Sequence, residues 1–320
     1  MNKILEQIGA YGIVPVIKIE DPLKAVPLAR AMCAGGLPLA EITFRTACAE
    51  EAIRRMNSEV PEMLVGAGTV INCEQVDRAV SAGAKFIVSP GLNEKVVHHC
   101  IELGIPITPG CSNPSDIECA IDCGLDVVKF FPAEQTGGLK YIKAIAAPYS
   151  QIKYIPTGGI NIKNLNEYLA YDKILACGGS WLAPADLLAK DDFCGITAIV
   201  REAVSLVMGV TLKHIGINQP DDDSALQIAS TFAALLSLPV KEGNSSVFAG
   251  GIVEVMKRPF LGQNGHIAIG VNNITRALNY LGERGIRPDM TTAKYDDAGR
   301  YKVVYLEGEM GGFAVHLVNN

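Results

Sequence analysis

Eight short apolar segments recur at similar intervals through the first part of the chain, and each is followed by a segment with the spacing of an amphipathic helix. They span residues 12–17, 37–43, 63–67, 85–88, 105–108, 126–130, 153–155 and 173–176. Segments this apolar suit strands that are buried on both faces of a parallel sheet. Eight strand–helix units in about 200 residues predict an α/β fold, a compact (β/α)8 TIM barrel. A doubly wound open sheet is the alternative, because periodicity does not show whether a sheet closes.

One lysine lies inside the sixth of these segments. Lys129 is surrounded by Val127, Val128, Phe130 and Phe131, in a β-prone stretch that ends at a proline. If the strand face that carries Lys129 is buried, the charged ammonium is disfavoured there. A neutral amine can attack a ketone and form a Schiff base. Taken alone, the segment is also compatible with a lysine that extends from a strand end to solvent.

Polar and glycine-rich sequences follow the other apolar segments. In a (β/α)8 barrel the active site lies at the carboxyl ends of the strands. The second segment ends with Glu41, Thr43 and Arg45 on one face, and glycine pairs follow the seventh and eighth segments. Loops at these last two positions commonly bind phosphate through backbone N–H groups. Burying a glutamate, an arginine and a lysine at neighbouring strand ends is costly, so the pattern indicates a site that uses them.

Charge and cysteine content exclude several other classes of protein. A net charge of −6 provides no basic surface for nucleic acid. No apolar run is long enough to cross a bilayer, so we expect no membrane partner. The nine cysteines lack paired CxxC spacing, which favours reduced thiols and a cytoplasmic location.

Six short motifs occur in order along this part of the chain. They are Glu-Ile-Thr-Phe-Arg-Thr from residue 41, Gly-Ala-Gly-Thr-Val from 66, Ser-Pro-Gly-Leu from 89, Lys-Phe-Phe-Pro-Ala-Glu from 129, Pro-Thr-Gly-Gly-Ile from 156 and Gly-Gly-Ser-Trp from 178. Together they resemble the class I aldolases for 2-keto-3-deoxy-6-phosphogluconate and 4-hydroxy-2-oxoglutarate, over about residues 1–208. The resemblance implies a lyase of carbohydrate metabolism (the Entner–Doudoroff pathway) that acts on a small keto acid. It also implies a homotrimer, and no cofactor for this domain.

The resemblance also implies individual roles. Lys129 is expected to form the Schiff base and Glu41 to act as general acid and base. The substrate-binding residues would be Arg45, Thr69, Pro90, Phe131 and Thr157. The phosphate-binding residues would be Gly158, Gly159, Gly179 and Ser180. The products would be pyruvate and an aldehyde, either glyceraldehyde 3-phosphate or glyoxylate.

The pattern changes in the last part of the chain, which we assign to a second domain over residues 211–320. A strand, a helix and further strands occur twice there, and the first strands carry His214-Ile-Gly-Ile and His266-Ile-Ala-Ile. This internal repeat predicts a smaller α+β domain of paired βαβββ modules. It resembles the vicinal-oxygen-chelate family, which includes glyoxalase I and the extradiol dioxygenases.

This second resemblance implies a divalent metal, Zn, Mn, Fe or Ni. Its ligands would be His214, Glu254, His266 and His316, although glyoxalases usually have glutamate at the last position. Three of the five histidines in the chain occupy these positions. The alternative is that hydrogen bonds satisfy these histidines in a domain that acts as a small-acid sensor or an oligomerisation module. For the first domain, a phosphate-binding isomerase that uses Glu41 as base without an imine is the alternative.

Overall fold

Parallel strands alternate with helices through the first of two structural units. The computed structural model describes residues 1–320 and divides into unit 1, Met1–Val207, and unit 2, Met208–Asn320. The strands of unit 1 are β1 Ile13–Ile17, β2 Leu39–Thr43, β3 Leu64–Gly68, β4 Ile87–Val88, β5 Ile107–Thr108, β6 Gly110–Cys111, β7 Val127–Phe130, β8 Lys153–Pro156 and β9 Cys177–Gly179. The helices are α1 Lys3–Tyr11, α2 Ala25–Gly35, α3 Ala49–Glu59, α4 Cys73–Ser81, α5 Glu94–Glu102, α6 Pro114–Asp122, α7 Gly138–Ala146, α8 Leu165–Leu169, α9 Ala185–Ala189 and α10 Phe193–Met208. None of the helices in the structure has both the length and the apolar character needed to cross a membrane.

The strands of unit 1 form a curled parallel sheet. Six strands pair in the order β5-β4-β3-β2-β1-β9, and three pair in the order β6-β7-β8. Only Pro109, which has no N–H to donate, separates β5 from β6. Isolated bridges join Tyr154 to Ile174 and Thr157 to Gly178, which connects the β8 end to the β9 end. All of these pairings are parallel, so the carboxyl ends of the strands lie on one side of the sheet.

Both faces of this sheet are buried, as the apolar segments predicted. Every residue of β2 and of β3 is buried. Gly66 in β3 makes room for Phe86, since a Cβ at Gly66 would lie 2.3 Å from the Phe86 ring. Asn72, Asn93 and Asn113 each cap the helix that follows, accepting a backbone N–H of its first turn. These caps determine where α4, α5 and α6 begin, and so where the loops after β3, β4 and β6 end.

The eighth strand lies later than predicted. The sequence predicted it over residues 173–176, but the strand is Cys177–Gly179, and Ile174 contributes only an isolated bridge. A Cβ at Gly178 would lie 2.2 Å from Thr157 Oγ1, so glycine permits this close approach of the backbones. Because glycine has no side chain, hydrophobic periodicity does not mark this strand.

Unit 2 contains the same order of elements twice. The first repeat consists of β10 Thr211–Asn218, α11 Asp222–Leu236, β11 Val240–Glu242, β12 Ser246–Ala249 and β13 Val253–Met256. The second consists of β14 Gly265–Val271, α12 Ile274–Gly282, β15 Pro288–Tyr295, β16 Tyr301–Met310 and β17 Phe313–Asn319. Two of these strands, β11 and β15, could not be located in the sequence, because they are the most polar of the set.

One eight-stranded sheet joins the two repeats, in the order β11-β12-β13-β10-β14-β17-β16-β15. Within each repeat the first strand pairs in parallel with the last, and the antiparallel pair β10–β14 forms the seam between repeats. Side chains from α11 pack with Val247 and Val255, and those from α12 pack with Val304 and Leu317. Since strand side chains alternate, those side chains of β13, β10, β14 and β17 that do not point toward the helices lie on the opposite face of the sheet. We call this the inner face of unit 2.

Candidate functional site

Two charged residues are buried together in unit 1. Lys129 on β7 is 5% exposed and Glu41 on β2 is 3% exposed. The Lys129 Nζ atom lies 3.5 Å from Glu41 Oε1, an ion-pair contact that is too long for a hydrogen bond, and this buried oxygen has no hydrogen-bond partner. A Cβ at Gly68 would lie 2.1 Å from that oxygen, so a glycine on β3 makes space for the carboxylate. Burying two charges is tolerated when they are paired, as they are here.

The Phe131 ring lies beside the lysine. The Lys129 Nζ atom is 5.3 Å from the centroid of this ring, within the range of a cation–π contact. Phe131 follows β7 directly, so the local chain direction places both residues at the carboxyl end of the same strand. The amine therefore has an ionic partner on one side and an aromatic wall on another.

Arg45 and Thr69 form a second polar pair at the same end of the sheet. Arg45 Nε donates to Thr69 Oγ1 at 3.2 Å. Thr69 has a φ of 58°, in the left-handed region that a β-branched residue rarely adopts. The flanking backbone holds it there, because Phe44 N–H donates to Gly68 O and Val70 N–H donates to Val88 O. Strain of this kind is found at functional sites and amounts to roughly 1–3 kcal/mol.

The glycine pair after β8 is fixed in a defined conformation. Gly158 and Gly159 have φ values of 101° and 84°. Gly158 O accepts from Glu134 N–H at 3.0 Å. Gly159 O accepts from the side-chain amides of Asn161 and Asn164 at 3.0 and 3.2 Å. In a trans peptide the C=O and the following N–H point in opposite directions, so the N–H groups of residues 159 and 160 point away from these donors.

A cavity of about 540 Å³ brings several predicted residues together. Those that line it are Arg45, Phe131, Thr157, Gly158, Gly159 and Ser180. Gly179 is buried at the end of β9 and pairs with Pro15, and Pro90 is half-buried with its carbonyl against Gly110. Thr157 Oγ1 is buried without a hydrogen-bond partner. Six of the predicted residues of unit 1 thus line one cavity, whereas Lys129, Glu41, Thr69, Pro90 and Gly179 are not part of its lining.

Three residues of this region were not predicted. Lys18 follows β1 and lines the same cavity, and its position at a strand end was the only signal in the sequence. Glu134 packs its side chain where a Cβ on Gly159 would lie, 2.5 Å from its Cγ. The Tyr168 hydroxyl donates to Glu134 Oε1. Because Tyr168 lies 34 residues further along the chain, no local pattern could pair it with Glu134.

Three side chains on the inner face of unit 2 meet at one point. His214, Glu254 and His266 each place one ligand atom within 4.8 Å of the others. The Nε2 atoms of His214 and His266 are 3.1 Å apart. Glu254 Oε2 lies 3.1 Å from the first and 3.2 Å from the second. Atoms that share one ion at about 2.0–2.2 Å are separated by about 3.0–3.4 Å, so these three have the spacing of metal ligands.

Glu254 is held in its charged form. Burial opposes this, but hydrogen bonds with His214, His266 and Ser246 outweigh burial and hold the pKa of Glu254 well below its usual range. The Ser246 hydroxyl donates to Glu254 Oε1 at 2.6 Å, which leaves Oε2 directed toward the imidazoles. A Cβ at Gly216 would lie 2.1 Å from the His266 ring, so glycine makes room for that ligand. The oxygen and nitrogen donors fit a divalent transition metal.

His316, the fourth predicted ligand, lies beside these three residues but is not part of their group. Its ring centroid is 5.1 Å from that of His266 and 5.7 Å from that of His214. Burial and the neighbouring imidazoles lower the pKa of His316 to about 4. Its Nδ1 is buried without a hydrogen-bond partner, as is that of His266. The structure therefore brings three predicted ligands together and places a neutral imidazole with a free nitrogen next to them.

Aromatic rings flank these side chains. Phe248 contacts His214 edge-on with centroids 5.9 Å apart, and Tyr305 contacts His316 at 4.7 Å. Burial, with a smaller effect of the Glu254 charge, raises the pKa of Tyr305 to about 12. Tyr305 is a neutral phenol beside the histidines, and sequence periodicity did not single it out.

Comparison with known proteins gives consistent matches to unit 1. The sequence profile of the family described as KDPG and KHG aldolase matches residues 4–199. The 2-dehydro-3-deoxy-phosphogluconate aldolase of Treponema pallidum is 46% identical over 207 residues, which are 65% of this chain and 99% of that protein. The 2-keto-3-deoxy-6-phosphogluconate aldolase of Zymomonas mobilis ZM4, solved with 3-phosphoglycerate, is 43% identical with a TM-score of 0.61, covering 64% of this chain and 97% of that one. The KDPG aldolase of Legionella pneumophila, with pyruvate captured as a covalent carbinolamine, is 36% identical with a TM-score of 0.61, covering 63% and 98%.

The left-handed backbone of Thr69 leads to a stability prediction. We expect Thr69→Gly to be more stable than Thr69→Ala by about 1 kcal/mol, because both lose the bond to Arg45 but only glycine adopts a positive φ without strain. The measurement is urea unfolding of both variants. The same pair at Thr108, in the ordinary strand β5, is the control, and there alanine should be the more stable. Equal stability of the two variants at position 69 would contradict the strain.

Proposed function

Because this chain belongs to the KDPG and KHG aldolase family and is a lyase of the aldolase type, we propose that unit 1 is a class I aldolase that cleaves a 2-keto-3-deoxy-6-phospho sugar acid or 4-hydroxy-2-oxoglutarate. The products are pyruvate and an aldehyde, glyceraldehyde 3-phosphate from the first substrate and glyoxylate from the second. The observation that carries the proposal is the buried Lys129 amine 3.5 Å from the Glu41 carboxylate.

In this proposal Glu41 first takes a proton from the Lys129 ammonium, and the neutral Nζ atom then attacks the C2 ketone of the substrate. The carbinolamine loses water to give a protonated imine, and Glu41 supplies the proton that the leaving hydroxyl needs. Glu41 then accepts the proton of the C4 hydroxyl as the C3–C4 bond breaks, and the electron pair moves into the imine to form an enamine. The aldehyde leaves, C3 is protonated, and water releases pyruvate from Lys129. The carbinolamine captured in the Legionella pneumophila relative supports the first step.

The two ends of the substrate need separate binding groups. Arg45, hydrogen-bonded to Thr69, is suited to the carboxylate because a guanidinium forms paired hydrogen bonds with it. The backbone N–H groups of the loop after β8, together with Gly179 and Ser180, are suited to the phosphate. The 3-phosphoglycerate in the Zymomonas mobilis relative supports an anion site of this kind.

We propose that the curled sheet of unit 1 is the closed (β/α)8 barrel of this family. The bridges from Tyr154 and Thr157 to residues 174 and 178 support closure between β8 and β9. We further propose a cytoplasmic homotrimer that acts in the Entner–Doudoroff pathway and needs no cofactor for the cleavage. The cavity of about 540 Å³ at the carboxyl ends of the strands supports a small-molecule substrate.

For unit 2 we propose a vicinal-oxygen-chelate domain with one divalent metal. Its two βαβββ repeats and the 3.1–3.2 Å separations among His214, Glu254 and His266 support this assignment. We include His316 as a fourth ligand in this proposal, because its ring lies beside those of His214 and His266. A bound Zn, Mn, Fe or Ni ion would supply Lewis acidity there. Glu254 and the neutral imidazoles would hold the ion, and Ser246 would keep the carboxylate oriented.

Covalent trapping tests the role of Lys129. Pyruvate followed by borohydride should add mass to the peptide that contains Lys129, and Lys129→Arg should abolish trapping and cleavage because a guanidinium is not deprotonated. Glu41→Gln should still be trapped but turn over about 10²–10⁴-fold more slowly. Trapping at Lys18, which lines the same cavity, would overturn the assignment. Isomerisation of a phosphorylated substrate without trapping or cleavage would support the isomerase alternative that uses no imine.

A charge substitution tests the phosphate loops. Ser180→Asp places a negative charge at the exposed residue after β9, so it should raise KM for the phosphorylated substrate about tenfold or more. KM for 4-hydroxy-2-oxoglutarate should change much less. Ser115→Asp, on the exposed first turn of α6, is the matched control and should leave both values unchanged. An equal rise for the two substrates would mean that the loops only shape the cavity.

Metal analysis tests unit 2 independently of the aldolase. The full chain purified without chelator should contain close to one divalent ion, and His266→Ala should lose it because a central ligand is removed. Aldolase activity should persist in this variant. Metal content by mass spectrometry is the measurement, with His98→Ala on α5 as the control histidine. Retention of the ion in His266→Ala would rule out this site.

A further inference from the structure

A β-bulge interrupts the seam of unit 2 next to the metal ligands. Leu212 pairs with Ile269 and His214 pairs with Ala268, so Lys213 is an extra residue on β10. A bulge redirects the side chains around it and is over-represented beside functional sites. This one lies directly before His214.

The bulge places Lys213 on the inner face of unit 2, with the metal ligands. Along β14, His266, Ala268 and Gly270 share that face because strand side chains alternate. A Cβ at Gly270 would lie 2.4 Å from Lys213 Cε, 2.4 Å from Thr211 Oγ1 and 2.3 Å from Asn320 Oδ1, so the lysine side chain shares the space above this glycine with two polar side chains. The absence of a side chain at Gly270 is what permits this position.

Lys213 also has no internal charge to neutralise it. It forms no ion pair, whereas Lys257 of the same unit is paired with Asp222 and Glu242. Imidazoles that bind a metal do so in their neutral form, so with the Glu254 carboxylate a divalent ion there would keep one net positive charge. The inner face would then present two separate positive charges.

The separation of these charges fits one small ligand. The proposed ion lies between His214, opposite Ala268, and His266, which are one and two strand repeats from Gly270, about 7 and 13 Å. An oxo acid of about five carbons, together with its bonds to the ion and to the lysine, spans a distance in this range. Tyr305, which pairs with His316 opposite Ala268, supplies an aromatic surface beside its carbon chain.

We propose that unit 2 binds a dianionic oxo acid, with its oxo-acid end at the metal and its second anionic group on Lys213. This inference rests on the proposed metal site. The second anionic group is a carboxylate or a phosphate-type oxyanion, since an ammonium accepts either. Lys213 is then the residue that selects dianions over monoanions.

Cobalt spectroscopy on the full chain tests this directly. Co²⁺ bound at the site gives a visible absorption spectrum that changes only when a ligand binds near the ion. An oxo acid that reacts with Lys129 in unit 1 therefore does not change this spectrum. The probes are 2-oxoglutarate, its monoanionic counterpart 2-oxovalerate with the same carbon chain, and 2-oxo-4-phosphonobutyrate. We expect both dianions to bind about tenfold or more tightly than 2-oxovalerate, the effect of one charge-assisted hydrogen bond.

Substitutions at Lys213 test whether this residue is the source of the preference for dianions. Lys213→Met should remove the preference for dianions while leaving the affinity for 2-oxovalerate unchanged, and Lys213→Arg should largely retain the preference. Lys302→Met, on the opposite face of the same sheet, should behave as the native chain. An unchanged preference in Lys213→Met, or none in the native chain, overturns the inference.

Comparison of 2-oxoglutarate with 2-oxo-4-phosphonobutyrate shows whether the second anionic group is a carboxylate or a phosphate-type oxyanion, because the ligand with the preferred group should bind more tightly. A chain that binds no Co²⁺, or whose cobalt spectrum survives His266→Ala, overturns both this inference and the metal site. Borohydride trapping at Lys129 does not depend on the metal, so the aldolase proposal is decided by that experiment alone.

Discussion

The contact between Lys129 and Glu41 is the constraint on which unit 1 depends. An ammonium and a carboxylate that are both more than nine-tenths buried stay in a sheet interior only if each has the other within reach. That requirement fixes the relative position of β7 and β2. It also explains why β3 ends in glycine, since any Cβ at Gly68 would occupy the place of the carboxylate. The surrounding apolar strands raise the cost of separating the pair, so packing and chemistry favour the same arrangement.

Unit 2 also shields a carboxylate from solvent, but the side chains that hold it are different. Its half-buried carboxylate, Glu254, is held by two imidazoles and a serine hydroxyl instead of a lysine. Gly216 leaves room for the His266 ring, as Gly68 leaves room for Glu41 in unit 1. In each unit a glycine thus makes space for a buried side chain of the candidate site. Glycine is therefore as informative about these sites as the charged residues.

Much of this arrangement could be predicted from the sequence, and the exceptions have identifiable causes. The apolar segments indicated most strands of unit 1, because burial on both faces leaves a strong signal. The strand at Cys177–Gly179 left none, since two of its three residues are glycine. β11 and β15 are edge strands with polar, exposed residues, so their pairing depends on neighbours that the sequence does not specify. Repeat positions indicated the cluster of histidines, but the bulge at Lys213 is a property of register and emerged only from the paired strands.

The seam between β10 and β14 has a consequence for the ion that we propose for unit 2. His214 and Glu254 belong to the first repeat, and His266 and His316 to the second, so each repeat alone offers only two of the proposed donors. Two donors bind an ion far more weakly than three or four, so opening the seam would weaken the binding of the proposed ion. By linkage, the free energy of binding that ion would then also stabilise the pairing of the two repeats. The proposed ion would therefore have a structural role in joining the repeats as well as a chemical one.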